Sequence, residues 1–158
     1  MQHVELRITR HGQETQVSVS GVIDEAAELS EFSRLSGRVR VDLRGVRRFN
    51  SFGCRHWVDV LRGLASRATL VFVACSPAVI DQLNTTYGFL ASGTVESFIG
   101  AMLCDRCGRD FDHLFDKREC EALDGLPEIR CPSCGGPAEL DDDPERYLHF
   151  MREPTRAG

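Results

Sequence analysis

Apolar and polar residues alternate along three segments of the chain, and this alternation predicts three strands. Val17 and Val19, for example, are flanked by serines, which gives the period of two expected of a strand with one buried face. The predicted strands cover residues 4–9, 15–22 and 38–46, with a glycine turn between the first two. Each strand is expected to place one face on a core and the other in water.

Helical spacing of apolar residues predicts the strongest helix over residues 50–65, with Asn50 or Ser51 as its N-terminal cap. Trp57 lies on the apolar side of this helix and is predicted to be a core residue. A second helix is predicted after Asp24, whose carboxylate is expected to cap it.

The middle of the chain adds two more strands and a helix. Residues 70–75 are continuously apolar, which predicts a central strand covered on both faces. A helix is predicted to begin at residues 76–77, where serine caps and proline takes the first turn. Residues 94–103 form the last predicted strand, which runs directly into Cys104. The alternation of strands and helices predicts an α/β sheet flanked by helices.

Composition narrows the class of protein. With 158 residues, 42% hydrophobic and 27% charged, the chain can bury one ordinary core and a small second one. The sequence has no apolar run near the roughly 20 residues that cross a bilayer, and residues 1–5 lack the character of a signal peptide. We therefore expect a cytoplasmic protein whose seven cysteines are thiols or metal ligands rather than disulfides.

Charge divides the chain into two unequal parts. Residues 1–100 carry 11 basic and 10 acidic side chains, whereas residues 101–158 carry 8 basic and 14 acidic ones. The acidic second part repels phosphate backbones, so nucleic acid is not the expected partner. A basic stripe nevertheless keeps a nucleic-acid interface open as an alternative; it consists of Arg38, Arg40, Arg44, Arg47 and Arg48.

Four cysteines form two Cys-x-x-Cys pairs that are separated by 23 residues. Two residues between thiolates let the backbone turn so that both sulfurs reach one ion at about 2.3 Å, and the glycine after each pair fits that turn. Two such pairs complete a closed tetrahedral shell, with no position for a reactive water. The sequence therefore predicts one structural Zn²⁺, with iron or a dithiol redox pair as weaker alternatives. The predicted ligands are Cys104, Cys107, Cys131 and Cys134.

Three cysteines and one histidine stand apart from these pairs. Cys54 and Cys75 occupy apolar positions and are predicted to be small buried residues. Cys120 lies in a charged stretch and His113 in a strand-like one. Both are spare donors, and we expect neither to bind the metal while the two cysteine pairs are intact.

The chain is expected to divide into a sheet domain over residues 1–100 and a small, β-rich zinc subdomain over residues 101–158. Within the second part, the three aspartates at 141–143 predict the start of a terminal helix that ends near Met151, because negative charge suits a helix N-terminus. The sequence contains no phosphate-binding glycine loop, nucleophile elbow or plausible pair of catalytic carboxylates. We therefore expect no enzymatic activity.

Two stretches of the first part resemble a known family. Residues 19–26, Val-Ser-Gly-Val-Ile-Asp-Glu-Ala, are similar to the entry into the first helix of STAS domains, the fold of bacterial anti-sigma factor antagonists. Residues 39–53 resemble the strand, loop and helix start of the same family. The resemblance extends over residues 15–98 and implies a STAS-like sheet, whereas the C-terminal third resembles a zinc ribbon.

The resemblance also implies a partner-binding loop. In this family a loop that reads aspartate, serine, serine or threonine, glycine is phosphorylated on its second hydroxyl residue by a kinase that also acts as the anti-sigma factor. The matching loop here reads Asn50-Ser51-Phe52-Gly53, so a phenylalanine occupies the acceptor position. Ser51 is kept as a weaker candidate phosphosite, because a helix start tolerates added phosphate.

These observations favour a non-enzymatic bacterial regulatory module that docks a protein partner through the Phe52 loop (residues 50–53). An exposed aromatic residue suits such a contact. By resemblance, the partner is a regulatory kinase or an anti-sigma-like factor. Two alternatives stay open: a zinc-ribbon transcription regulator associated with nucleic acid, and a STAS protein that binds a lipid or small molecule.

Overall fold

The computed structural model describes residues 3–152 and shows a mixed α/β architecture with two β-sheets and several helices. The first two positions and residues 153–158, which the predicted domains include, lie outside the described residues.

The first sheet has the strand order β1-β2-β3-β4-β5. Its strands are β1 (Glu5–His11), β2 (Glu14–Ile23), β3 (Gly37–Phe49), β4 (Ala68–Val73) and β5 (Thr94–Val95). The β1–β2 hairpin is antiparallel, and β2 to β5 run parallel to one another. The first three strands lie where the alternation predicts them, and β3 continues beyond its predicted end.

Three helical segments connect these strands. They are a 3₁₀ helix (Ser30–Arg34) before β3, α1 (Ser51–Ala65) between β3 and β4, and α2 (Pro77–Thr85) between β4 and β5. The side chain of Asn50 caps α1 by accepting a hydrogen bond from the Gly53 amide at 2.8 Å. Ser76 caps α2 in the same way, with Pro77 in the first turn as predicted.

The predicted α-helix after Asp24 does not form. Oδ1 of Asp24 accepts a hydrogen bond from the Ala26 amide at 3.0 Å, which closes a turn instead of capping a helix. Leu29 and Phe32 are buried all the same, because the short 3₁₀ helix is enough to turn them towards the core.

The core of the first sheet lies on one face only. Val39 and Val41 on β3 and Leu70 and Phe72 on β4 are buried together with residues of both helices, whereas Thr69 on the opposite face is exposed. The parallel strands β2 to β5 lie side by side in chain order. Because connections between parallel strands are right-handed, α1 and α2 both lie on the same side of the sheet. Val71 and Val73, on the opposite face of the strand predicted over residues 70–75, are half-buried, so that face is covered only in part and not fully as predicted.

The first aromatic cluster (Phe32, Phe49, Trp57 and Phe89) forms the centre of this core. Trp57 is fully buried, as predicted. Its ring meets Phe32 and Phe49 edge-on, with centroids 5.9 and 6.0 Å away. Phe89 contacts Phe49 at 5.1 Å. Such edge-on contacts stabilise aromatic pairs beyond their burial.

The second sheet is antiparallel, with the order β7-β6-β9-β8. Its strands are β6 (Ser97–Cys104), β7 (Asp110–Asp116), β8 (Ile129–Arg130) and β9 (Pro137–Leu140). Three short helices accompany it: α3 (Lys117–Leu123), α4 (Pro144–Tyr147) and α5 (His149–Arg152). Asp143 caps α4 by accepting from the Glu145 amide at 3.1 Å, so the acidic run opens a terminal helical segment as predicted.

Strand β6 joins the two sheets directly. The single strand predicted over residues 94–103 is divided at Glu96, with β5 paired to β4 and β6 paired within the second sheet. The Glu96 amide donates to the Phe72 carbonyl at 2.8 Å, and its carbonyl accepts from the Lys117 amide at 3.0 Å. Glu96 is therefore bonded to both sheets. The predicted domain boundary between residues 100 and 101 lies inside β6.

The second aromatic cluster (Phe98, Phe115, Tyr147 and Phe150) packs under the second sheet. Phe98 stacks on Phe115 at 5.4 Å and meets Phe150 edge-on at 5.3 Å. The Tyr147 hydroxyl donates to the Ile99 carbonyl at 2.5 Å, which fixes α4 to β6. Seven of these eight rings belong to one continuous set of buried residues, and the half-buried Phe150 packs against it.

Candidate metal centre

The four cysteines of the two pairs come together at one end of the second sheet. Cys104 ends β6 and Cys107 lies in the turn to β7, while Cys131 and Cys134 lie in the turn from β8 to β9. The four sulfur atoms lie within 4.8 Å of one another. Across the two turns, Cys104 Sγ is 3.5 Å from Cys134 Sγ, and Cys107 Sγ is 3.7 Å from Cys131 Sγ.

These separations suit one tetrahedral ion. Four sulfurs that each lie about 2.3 Å from a central ion are about 3.8 Å apart. All seven cysteines are free thiols, so no disulfide occupies these sulfurs. Within residues 3–152, this is the one group of cysteine, histidine and carboxylate side chains found close enough to hold a metal ion. The cluster is therefore compatible with a single metal ion.

The two turns repeat one backbone arrangement. The Gly108 amide donates to the Cys104 carbonyl at 3.0 Å, and the Gly135 amide donates to the Cys131 carbonyl at 2.9 Å. Both glycines have left-handed φ angles, +75° and +73°. A side chain at either position would be strained, which confirms the role predicted for the glycine that follows each pair.

Backbone amides point at the sulfur of Cys104. The amides of Cys107 and Arg106 donate to it at 3.3 and 3.4 Å. Mainly through the Cys107 amide, these hydrogen bonds lower the pKa of the Cys104 thiol to about 6. The first cysteine of the first turn is thus prepared to act as a thiolate, the form that binds metal.

Cys131 has the same environment in the second turn. The amides of Cys134 and Ser133 lower the pKa of its thiol, and the Ser133 amide donates at 3.4 Å. The pKa of Cys107 shifts the other way, to about 11, because its contacts with neighbouring cysteines outweigh donation from the Arg109 amide. Sulfurs this close do not all ionise alone, so four thiolates require a cation between them.

Two arginine side chains form hydrogen bonds with the turns that carry the cysteines. Arg109 Nη1 donates to Ser133 Oγ at 2.7 Å, which links the two turns, and Arg130 Nη1 donates to the Gly135 carbonyl at 3.4 Å. Arg106 lies between the first two cysteines in sequence. Four thiolates around a divalent ion would carry a net charge of about −2, and the guanidinium groups of Arg109 and Arg130, which bond to the turns, would offset part of it.

The other candidate donors lie away from the cluster. Cys120 is fully buried on α3, where burial raises the pKa of its thiol to about 11. The His113 ring packs against Phe115 at 4.7 Å. Cys75 is fully buried as predicted, but Cys54 is only half-buried and donates to Gln82 Oε1 at 2.9 Å.

The Phe52 loop, predicted over residues 50–53, consists of the cap residue Asn50 and the first three residues of α1, and it is held firmly in place. The Asn50 amide donates to the Ile23 carbonyl at 3.2 Å, and Asn50 Nδ2 donates to Glu25 Oε2 at 2.6 Å. That second hydrogen bond lowers the pKa of Glu25. Gly53 packs so closely on the end of β2 that an added Cβ would lie 1.9 Å from the Ile23 carbonyl oxygen. A residue with a side chain cannot take the place of Gly53 without moving α1.

The side chain of Phe52 points away from this anchor and is 65% exposed. Of the two residues proposed as the cap of α1, the cap is Asn50 and not Ser51. Ser51 is the first residue of the helix and is exposed. No described contact tests its phosphorylation, which stays a prediction.

Tyr87 is a second exposed aromatic residue, at 69% exposure, that the sequence reasoning missed. It follows the end of α2, where Gln82 Oε1 accepts from Cys54 Sγ at 2.9 Å and from Thr86 Oγ1 at 3.2 Å. These bonds tie the end of α2 to the start of α1. The sequence signal was an aromatic residue just after a helix and before Gly88.

No helix within residues 3–152 has both the length and the apolar character needed to cross a membrane. A scan of protein-family models gives no match to the chain, and a search of curated proteins gives none either. The STAS resemblance therefore rests on the residues quoted above, whereas the cysteine cluster rests on its own geometry.

Proposed function

We propose that the chain is a non-enzymatic regulatory module of the bacterial cytoplasm, in which a STAS-like domain docks a protein partner. A structural Zn²⁺ stabilises the C-terminal sheet, which we propose to be a zinc ribbon. The observation that carries the proposal is the cluster of four sulfurs within 4.8 Å, formed by two turns of the same construction.

The ligand set favours zinc with a structural role. Four thiolates in tetrahedral arrangement select zinc or iron among the common metals, and a closed shell leaves no position for a reactive water. The strands that carry the second turn, β8 and β9, have only 2 and 4 residues. Such short strands gain little from pairing, so metal binding supplies the free energy that folds this sheet.

Metal analysis of the purified protein tests this part of the proposal. We expect one zinc per chain by mass spectrometry, little iron, and loss of the metal from a Cys131→Ser variant. Cys54→Ser is the matched control, because Cys54 is a free thiol outside the cluster. Stoichiometric zinc in Cys131→Ser, or iron in place of zinc in the wild type, contradicts the assignment.

The Phe52 loop supports the docking role. Phe52 is a large aromatic residue in water, and the loop that presents it is fixed by Asn50 and Gly53. Tyr87 lies on the segment that is bonded to the same end of α1. Rigid, exposed aromatic side chains lose little entropy on binding and often dominate protein interfaces.

An affinity capture from a bacterial extract tests the docking role. We expect wild type to retain a partner that Phe52→Ala loses. Leu123→Ala is the control, because Leu123 is also exposed, at 55%, but lies on α3. Equal capture by wild type and Phe52→Ala would remove the loop from the interface. Phosphate-affinity electrophoresis of wild type and Ser51→Ala tests the weaker phosphosite, since a shifted band in wild type alone would establish it.

A further inference from the structure

The second sheet has two faces of different chemistry. Phe98 and Met102 of β6 and Phe115 of β7 point into the core. Because side chains alternate along a strand, Leu103 of β6 and Leu114 of β7 lie on the opposite face. Leu103 is 38% exposed and Leu114 is 46% exposed. Two large apolar residues on one sheet face are therefore in contact with water.

Carboxylates border this apolar stripe on both sides. Strand pairing places Ala101 and Leu103 of β6 each between one residue of β7 and one residue at β9 or just after it. The Asp141 amide, for instance, donates to the Ala101 carbonyl at 2.7 Å. The resulting pairs are Asp110 and Glu139 beside Leu103, and Asp112 and Asp141 beside Ala101.

The four carboxylates are available to a partner. All of them are exposed, and among residues 3–152 no ion pair reaches any of the four. The surrounding segment, residues 101–158, carries 14 acidic against 8 basic side chains. A basic partner would relieve this repulsion between like charges and would be attracted from a distance.

We infer that this acidic face (Ala101, Leu103, Asp110, Asp112, Leu114, Glu139 and Asp141) docks a basic amphipathic helix of a partner protein. The two carboxylate rows lie on strands separated by β6, and so are about 10 Å apart. That spacing matches the diameter of a helix, about 10 Å. A helix laid along β6 presents leucines to the stripe and lysines or arginines to both rows. The inference is independent of the Phe52 loop and of its partner.

A designed peptide tests the inference on the metal-loaded, full-length protein. The probe is a fluorescent amphipathic helix of leucine and lysine, and its control is the same peptide with glutamate in place of lysine. By fluorescence anisotropy, we expect saturable 1:1 binding of the lysine peptide, weakened by added salt, and no binding of the glutamate peptide. Equal binding of the two peptides would overturn the inference.

Two variants with the same charge change locate the binding site. The triple variant Asp110→Asn, Asp112→Asn, Glu139→Gln should bind the lysine peptide at least about tenfold more weakly. The control variant Glu28→Gln, Glu31→Gln, Asp59→Asn removes three exposed carboxylates in and around the 3₁₀ helix and α1, outside the second sheet, and should bind as wild type does. Equal affinity of the two variants would show that net charge alone drives binding, and would sink the proposal.

A third variant tests the apolar stripe. Leu103→Ser should weaken peptide binding even at high salt, where charge attraction is screened. Unchanged affinity in Leu103→Ser would reject the docked helix. A concentration-dependent dimer of the wild type that Leu103→Ser abolishes would assign the face to a second copy of this chain and would overturn the inference as well.

Discussion

The two sheets each pack against a cluster of four aromatic residues, but only the second also has four clustered cysteines. The first sheet covers its cluster with a helix of 15 residues and has a strand of 13 residues, α1 and β3. In the second sheet, β6 and β7 have 8 and 7 residues, but β8 and β9, which carry the second cysteine turn, have only 2 and 4, and the two terminal helices have 4 each. Elements as short as β8 and β9 bury little apolar surface against the entropy of ordering them, so we expect metal binding to matter most for this part of the second sheet.

Metal removal should have the largest effect on stability, and it should affect the second sheet while leaving the first sheet folded. After chelation, or in Cys104→Ser, we expect amide protection to disappear over residues 101–116 and 129–140, because the proposed metal would supply most of the folding free energy of that region. Protection should persist in β2, β3 and α1. Hydrogen exchange measured by mass spectrometry gives both readings at once.

The control for this experiment is Cys120→Ala, which removes a buried thiol of the second part that lies outside the cluster. It should keep its metal and the protection of β6 and β9. Full amide protection of the second sheet in the metal-free protein would show that apolar packing alone stabilises both sheets. The proposed difference in metal dependence between them would then be wrong.

Trp57→Ala perturbs the core of the first sheet, whereas metal removal perturbs the second sheet. It removes the centre of the first aromatic cluster and should lower the free energy of unfolding by about 3–5 kcal/mol, because the fully buried indole leaves a cavity. Urea denaturation followed by circular dichroism gives the change. Zinc content should stay near one per chain under native conditions, and a matching loss of zinc would mean that the metal site depends on the first core.

Tyr147→Phe probes how the terminal helices are attached to the second sheet. Loss of the hydroxyl leaves the Ile99 carbonyl without this donor and should cost about 1–3 kcal/mol. Burial raises the pKa of Tyr147, so the folded state keeps a proton that the unfolded chain releases. The tyrosine's contribution is therefore complete below about pH 10 and declines as the pH rises further. Denaturation at several alkaline pH values should show a steeper decline for wild type than for Tyr147→Phe.

Arg40→Ala should have the smallest effect. Arg40 of β3 pairs with Glu96, which lies between the two sheets, but both side chains are partly exposed. An ion pair in water contributes less than about 1 kcal/mol, and salt screens it. Urea denaturation at low and high salt should show a small difference that disappears at high salt. A larger, salt-independent loss would mean that Glu96 holds the sheets together mainly through this side chain.

The cysteine cluster could be predicted from the sequence because its geometry is local. Two residues between thiolates and a following glycine fix each turn, so only the meeting of the two turns depends on the fold. The same is true of Asn50, whose capping bond to Gly53 spans three residues. Features set by neighbours in sequence are readable from sequence.

Features set by distant partners were missed or misread. The division at Glu96 depends on bonds to Phe72 and Lys117, which the pattern of residues 94–103 does not contain. The acidic face likewise appears only once the register of β6, β7 and β9 is known. Asp24 was misread for a different reason: aspartate closes a turn as readily as it caps a helix, and the residues after it did not decide between the two.

The path of β6 determines where the chain can be divided into fragments that fold. This strand stays bonded to Cys75, just past β4, as far as Ile99, and its last residue, Cys104, belongs to the cysteine cluster. A chain that ends at residue 100 would leave Phe98 without the rings that cover it, and the exposed aromatic surface would promote aggregation. A fragment that folds by itself must therefore include all of β6 together with the residues that cover Phe98, and is larger than the two cysteine turns.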